Sequence, residues 1–290
     1  MIPLLFSILS SSLIFVIFKL FPRYGINTFQ AIVFNYFTAF LCGVLLFGHE
    51  LKPEAFNSGQ WPIFAVLSAI LFISLFILMG LSSQKNGVAL TSIAVKMSMA
   101  ISMLFMIMLY REHLSLLKIT GILFAFLGVF LVTFSRKESS NVKGALWMLI
   151  ALFFGSGFLD FVLNYVQKYE LNDLTPSLFS AFGFGLAGLI GLAILIVQLV
   201  TKKAVFSPRS ILAGVILGIP NYFSIYLLIV SYKSTGWTDS TVLAVINVSV
   251  VLISALIGFI AFKENVNLRK IIGLVAAIAA IIILYFADLN

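Results

Sequence analysis

Ten continuous apolar runs, each about as long as a bilayer is thick, constrain this chain more than any other feature. They fall at about 2–21, 28–47, 61–82, 88–109, 116–135, 144–167, 175–200, 210–232, 238–262 and 268–287. A helix needs roughly 20 mostly apolar residues to cross hydrocarbon. In lipid, backbone amides must bond within their own segment or within a closed barrel. Barrel strands alternate apolar and polar side chains, and these runs do not. The pattern predicts an all-α polytopic membrane protein with ten transmembrane helices.

Composition points the same way. Of 290 residues, 62% are apolar and 10% charged, whereas a soluble domain carries about 25% charged residues. Too few polar side chains exist to cover a water-facing surface. Short breaks such as Pro22-Arg23-Tyr24-Gly25, Asn86-Gly87 and Ser207-Pro208-Arg209 separate the runs and leave no room for a further catalytic domain. Trp61, Trp147 and Trp237 each stand near the start of a run, where an amphipathic ring is expected among headgroups. Cys42 is the single cysteine, which excludes a disulfide framework. Residues 2–21 lack a basic leader and a small-residue cleavage site, so they are expected to stay as the first helix.

The net charge of +8 is scattered over loop ends, which suits a lipid bilayer as partner and gives no support for nucleic acid. Odd-numbered connections hold Lys19, Arg23, Lys85, Arg136, Lys137, Lys143, Lys202, Lys203, Arg209, Lys263, Arg269 and Lys270. Even-numbered ones hold Lys52, Arg111, Lys118, Lys168 and Lys233. That bias predicts odd connections in the cytoplasm and both termini outside.

The chain also repeats itself. A shift of 152 residues (264 − 112) lays Arg111-Glu112 on Lys263-Glu264, Ser102 on Ser254, Leu116 on Leu268, Lys118 on Lys270, Gly121 on Gly273 and Phe134 on Phe286. Two halves are therefore expected, residues 1–138 and 139–290. Five helices per half is an odd number, so the second half should be inverted relative to the first. Inverted five-helix repeats around a midplane site are a recurring design of secondary transporters.

On these paired segments, Tyr110-Arg111-Glu112 to Gly121 and Phe262-Lys263-Glu264 to Gly273, the chain resembles the EamA-like branch of the drug/metabolite transporter superfamily. The resemblance spans essentially the whole chain. It implies an alternating-access carrier without a cofactor, often an exporter of amino acids or other metabolites, in a bacterial-type inner membrane. The chain departs from the family pattern at two points. The proline often found within the fourth and ninth helices is absent, with Lys96 and Val248 near its place. Family members also usually have both termini in the cytoplasm, against the charge bias.

Lys96 lies about eight residues into the fourth run, some 12 Å along a helix. An intramembrane lysine costs on the order of 2.5–3.5 kcal/mol, so it should face a wet interior. There it would fix the carboxylate or phosphate of a substrate; the alternatives are snorkelling or pairing with backbone carbonyls. Asp160 is the other intramembrane charge. With Ser156, Asn164 and Gln167 it forms a polar stripe at helical spacing, read as the wall of a proton or cation path or as structural hydrogen bonding. Counted from their helix starts, Asp160 lies about 12 Å deeper than Lys96, which predicts separate stations along one path. Asn35, Asn221 and Asn247, with Tyr222 and Tyr226, are candidates to orient a substrate, or else to link helices.

Other patterns read as structure. Gly183-Phe184-Gly185-Leu186-Ala187-Gly188 spells a dinucleotide fingerprint but sits inside an apolar run, where close helix packing explains it better. Glu112 and Glu264 are expected to help start the helices that follow them. His49 and His113 stand in separate loops without metal-ligand spacing, so neither a metal nor a cofactor is expected. No paired catalytic constellation exists that would suit an intramembrane enzyme. The leading expectation is thus a secondary-active carrier of small metabolites such as amino acids or organic anions. The competing ones are proton-coupled efflux of lipophilic cations driven by Asp160, and a passive channel.

Overall fold

The computed structural model describes residues 2–52, 59–110, 115–133, 143–171, 175–234, 239–264 and 268–289. Among them the regular structure is helical, in eleven α-helices. These are α1 (Ile2–Leu20), α2 (Thr28–Phe47), α3 (Trp61–Lys85), α4 (Val88–Met97), α5 (Met99–Tyr110), α6 (Leu116–Thr133), α7 (Lys143–Tyr169), α8 (Pro176–Val200), α9 (Pro208–Ser234), α10 (Asp239–Ile260) and α11 (Leu268–Leu289). Six of them, α1, α2, α3, α7, α8 and α9, contain stretches long and apolar enough to cross a membrane.

Local chemistry sets the ends. The Asn27 side chain accepts from the Gln30 N–H and starts α2, and Thr175 accepts from the Leu178 N–H to start α8. Prolines at the beginnings of α3 and α8 occupy positions whose missing N–H has no partner to lose.

The fourth apolar run, expected as one helix, is broken at Ser98 into α4 and α5. No proline is needed for the break. The Ser98 hydroxyl donates to the Val95 carbonyl, while the Ile101 and Ser102 N–H groups both donate to Ser98 O, at 2.9 and 3.2 Å. Such hydroxyl back-bonding competes with the helical ladder and bends it.

Helix contacts come in reciprocal pairs. Helix α1 packs on α9 as α7 packs on α3, and α2 packs on α9 as α8 packs on α3. Helices α2 and α8 meet each other, as do α6 and α11, and α4 and α10. Leucine, isoleucine and valine side chains face outwards, among them Leu45, Ile63, Val200 and Leu268. Hydroxyl and amide residues such as Ser68, Thr91, Gln30 and Asn35 are fully buried. A bilayer as solvent permits this arrangement, with apolar surface outside and hydrogen-bonding groups within.

Small residues let the helices approach. A Cβ at Gly214 of α9 would stand 2.5 Å from Phe34 Cβ and 2.6 Å from Ala31 O of α2, and one at Gly218 would stand 2.6 Å from Thr38 Cβ. On α8, Gly185 receives Phe40, and Gly191 receives Ile73 and Val33. The glycine-rich stretch is therefore a packing surface.

Two expectations change. Trp61 is buried, its ring 5.7 Å from that of Phe182, so it fills a core beneath α8 instead of resting among headgroups. Trp147 is half exposed, and Trp237 lies outside the described residues. Glu264 helps start a helix far from it in sequence. Its carboxylate accepts from the Val88 N–H at 2.7 Å, at the beginning of α4. Arg111, Glu112 and His113 lie outside the described residues.

The contact at Gly214 is against backbone, which cannot step aside. Gly214→Ala is expected to destabilise the detergent-solubilised protein by about 1–3 kcal/mol through overpacking. Gly48→Ala, whose Cβ would meet Val44 at an ordinary 3.5 Å, should leave the thermal midpoint unchanged in the same melting assay.

Candidate functional site

A cavity of about 250 Å³ opens among α1, α2, α3, α4, α7, α8, α9 and α10. Both intramembrane charges line it. Lys96, in the last turn of α4, and Asp160, on α7, face one shared space and act on each other electrostatically. They form no direct salt bridge among the described residues.

The two charges expected as stations along one path thus share the wall of one cavity. Helix α4 begins among buried residues, Val88, Thr91 and Ser92, and α7 has 27 residues, about 40 Å of helix against a hydrocarbon core of about 30 Å.

The remaining wall is part polar and part aromatic. Ser156 stands one turn before Asp160, and Asn221 and Asn247 contribute amides from α9 and α10. The Asn221 Nδ2 is buried without a hydrogen-bond partner, a donor in reserve. The Asn247 Nδ2 donates to Met99 Sδ at 3.2 Å, a weak acceptor that a ligand oxygen could replace. Phe15, Tyr36, Phe72, Phe76 and Phe184 form the apolar part. The Tyr36 hydroxyl donates to Phe72 O at 2.6 Å, and the Tyr36 ring stacks on Phe184 at 5.8 Å. That bond leaves Tyr36 as a shaped wall rather than a free donor.

Other residues singled out from sequence stand elsewhere. Asn35 is fully buried in α2 and does not line the cavity. Tyr222 is buried beside Tyr226, rings 6.1 Å apart and nearly parallel, and also lies outside the wall. Asn164 is not part of the wall, and the side chain of Gln167 lies outside the described set.

Sequence reasoning passed over Ser7, Ser11 and Ser224, which do line the cavity. The Ser7 hydroxyl donates to Ser224 O at 2.8 Å and ties α1 to α9, while the Ser224 hydroxyl donates to Asn221 O at 2.8 Å. The signal was available. Ser7 and Ser11 are spaced one helical turn apart, the same spacing that marked Ser156 and Asp160.

A helical, lipid-facing bundle around a small charged cavity defines an integral membrane protein. The EamA-like transporter family model matches the chain twice, over residues 2–134 and 140–286. The chain belongs to that family, whose members are transporters. A protein of Haemophilus influenzae described as uncharacterized is 29% identical over 293 residues, covering 98% of each chain. A solved structure described only as the crystal structure of a protein has the same fold, with a TM-score of 0.62 at 10% identity over 98% of this chain and 99% of that one.

Two opposite charges in one cavity compensate each other, so removing one strands the other. Lys96→Met and Asp160→Asn should each lower thermal stability, and the double variant should recover part of the loss. A coupling of about 0.5–3 kcal/mol in a double-mutant cycle is the expected size for residues that share a cavity.

Proposed function

We propose that the protein is a secondary-active carrier of small zwitterionic or anionic metabolites, an exporter or exchanger. It would work by alternating access around the Lys96–Asp160 cavity. In this reading ten helices span a bacterial-type inner membrane as two inverted repeats, residues 1–138 and 139–290. The reciprocal helix contacts support the reading, because exchanging the conformations of two equivalent halves turns a site open on one side into one open on the other.

The observation that carries the substrate class is the pairing of one cation and one anion in a single wall. Lys96 would hold a carboxylate or phosphate, and Asn221 and Asn247 would orient the remainder with amide donors and acceptors. Asp160 is accessible in the same wall and would carry the coupling proton. The serine pair on α1, the aromatic residues and Ser156 would shape the space around the ligand.

Efflux of lipophilic cations fits less well. A fixed lysine opposes cationic cargo, and about 250 Å³ is small beside the ~300–1,000 Å³ of typical ligand pockets. A passive channel is opposed by the side-chain stitching across one end of the bundle, where Lys19, Gln84, Thr28 and Glu264 interlock.

Counterflow in proteoliposomes loaded with a metabolite mixture, read by mass spectrometry, tests the reading. Wild type should exchange an anionic or zwitterionic species, and Lys96→Ala should lower that exchange about tenfold or more, the loss expected for one charge-assisted contact. Exchange confined to lipophilic cations would overturn the assignment. Asp160→Asn should keep counterflow yet lose accumulation driven by a pH gradient. Unchanged accumulation would remove Asp160 from the coupling role.

A further inference from the structure

Glu264 occupies a pocket built for a carboxylate. At the end of α10, Lys263 adopts a left-handed conformation, φ 50°, and turns the chain so that Glu264 reaches back across the bundle. Its backbone N–H donates to Gly258 O at 3.0 Å. Its side chain meets the first N–H groups of α4, from Val88 at 2.7 Å and Ala89 at 3.4 Å. Lys19 of α1 approaches to 3.6 Å and also donates to Gln84 O of α3, at 3.4 Å. Two glycines leave room for it. A Cβ at Gly87, where φ is +97°, would lie 2.6 Å from the carboxylate carbon and both oxygens, and one at Gly258 would lie 2.8 Å from Oε2.

These contacts tie α10 to α1, α3 and α4 at one end of the bundle. The cavity wall runs from Phe15 and Met79, on the side of these contacts, to Ser7, Leu163 and Leu228 towards the other end. Glu264 sits beyond Met79, where it, Lys19, Gln84 and Thr28 interlock and close this end. What it grips matters as much. Helix α4 is a ten-residue rod, separated from α5 at Ser98, with Glu264 at its first turn and Lys96 in its last, about 12 Å away.

We propose that Glu264 is a positioning residue for transport. By capping α4 from the opposite half, it holds the closed end shut and keeps the helix that carries Lys96 against the cavity. Releasing the carboxylate frees α4 and opens that end while the other closes. The purpose assigned to this latch rests on the carrier reading, but the latch is tested without any substrate.

Two cysteine reporters in a Cys42→Ser background read it, using N-ethylmaleimide on detergent-purified protein. Ser83→Cys reports the closed end, because Ser83 is fully buried near the end of α3. Leu228→Cys reports the opposite end, in the cavity wall. Glu264→Gln should raise labelling of Ser83→Cys about tenfold, the factor that follows from losing about 1.4 kcal/mol of charge-assisted bonding. The same substitution should lower labelling of Leu228→Cys. A merely structural loosening would raise both together, and that outcome, or no change at Ser83→Cys in monodisperse protein, overturns the proposal. If Glu264→Gln does not fold, Lys19→Met decides. It removes the ion pair and leaves the cap, so it should raise Ser83→Cys labelling by a smaller factor, and no rise overturns the latch. Failed counterflow with this labelling pattern intact would sink the carrier reading alone.

Discussion

Hydrocarbon offers neither hydrogen bonds nor a gain from hiding apolar side chains, and the rest of the structure follows from that constraint. Backbone groups bond within helices, and the helices must be held by contact and by buried polar side chains. Glycine is the enabling residue at the tightest crossings. Gly214 and Gly218 bring α9 against the backbone of α2, while Gly185 and Gly191 accept side chains of α2 and α3 into α8. Polar links then join distant segments, as when the Gln30 amide donates to Val205 O at 2.7 Å and accepts from the Ser207 N–H at 2.9 Å.

Within this frame a cavity is the one place where charge is tolerable. Lys96 and Asp160 share it without a salt bridge, and each offsets the other's field. The same economy appears at the bundle end. There Glu264 serves at once as helix cap, ion-pair partner and filler of the space left by Gly87 and Gly258. Helix α4 joins the two places, because its ends carry the capped N–H groups and the cavity lysine.

Much of this was readable in the residues. Continuous apolar runs announced the helices, and the rarity of charge inside them singled out Lys96 and Asp160. The spacing of Ser156 from Asp160 marked one stretch of cavity wall. Asn35 and Tyr222 show where such reading fails, since a polar residue in mid-helix serves a cavity or a helix contact according to which way that helix is rotated.

The sequence by itself determined the solvent, the helical class, the two-fold repetition and the identity of the charged residues. Those follow from local chemistry, namely the length of apolar runs, the cost of a charge in lipid and the register of matching residues. Tertiary structure alone decided that Lys96 and Asp160 share one cavity wall, that serines of α1 complete it, and that Glu264 caps a helix 176 residues away in sequence. Each of these depends on the rotation, depth and crossing of helices. Packing among all of them sets those quantities, and no single segment encodes them.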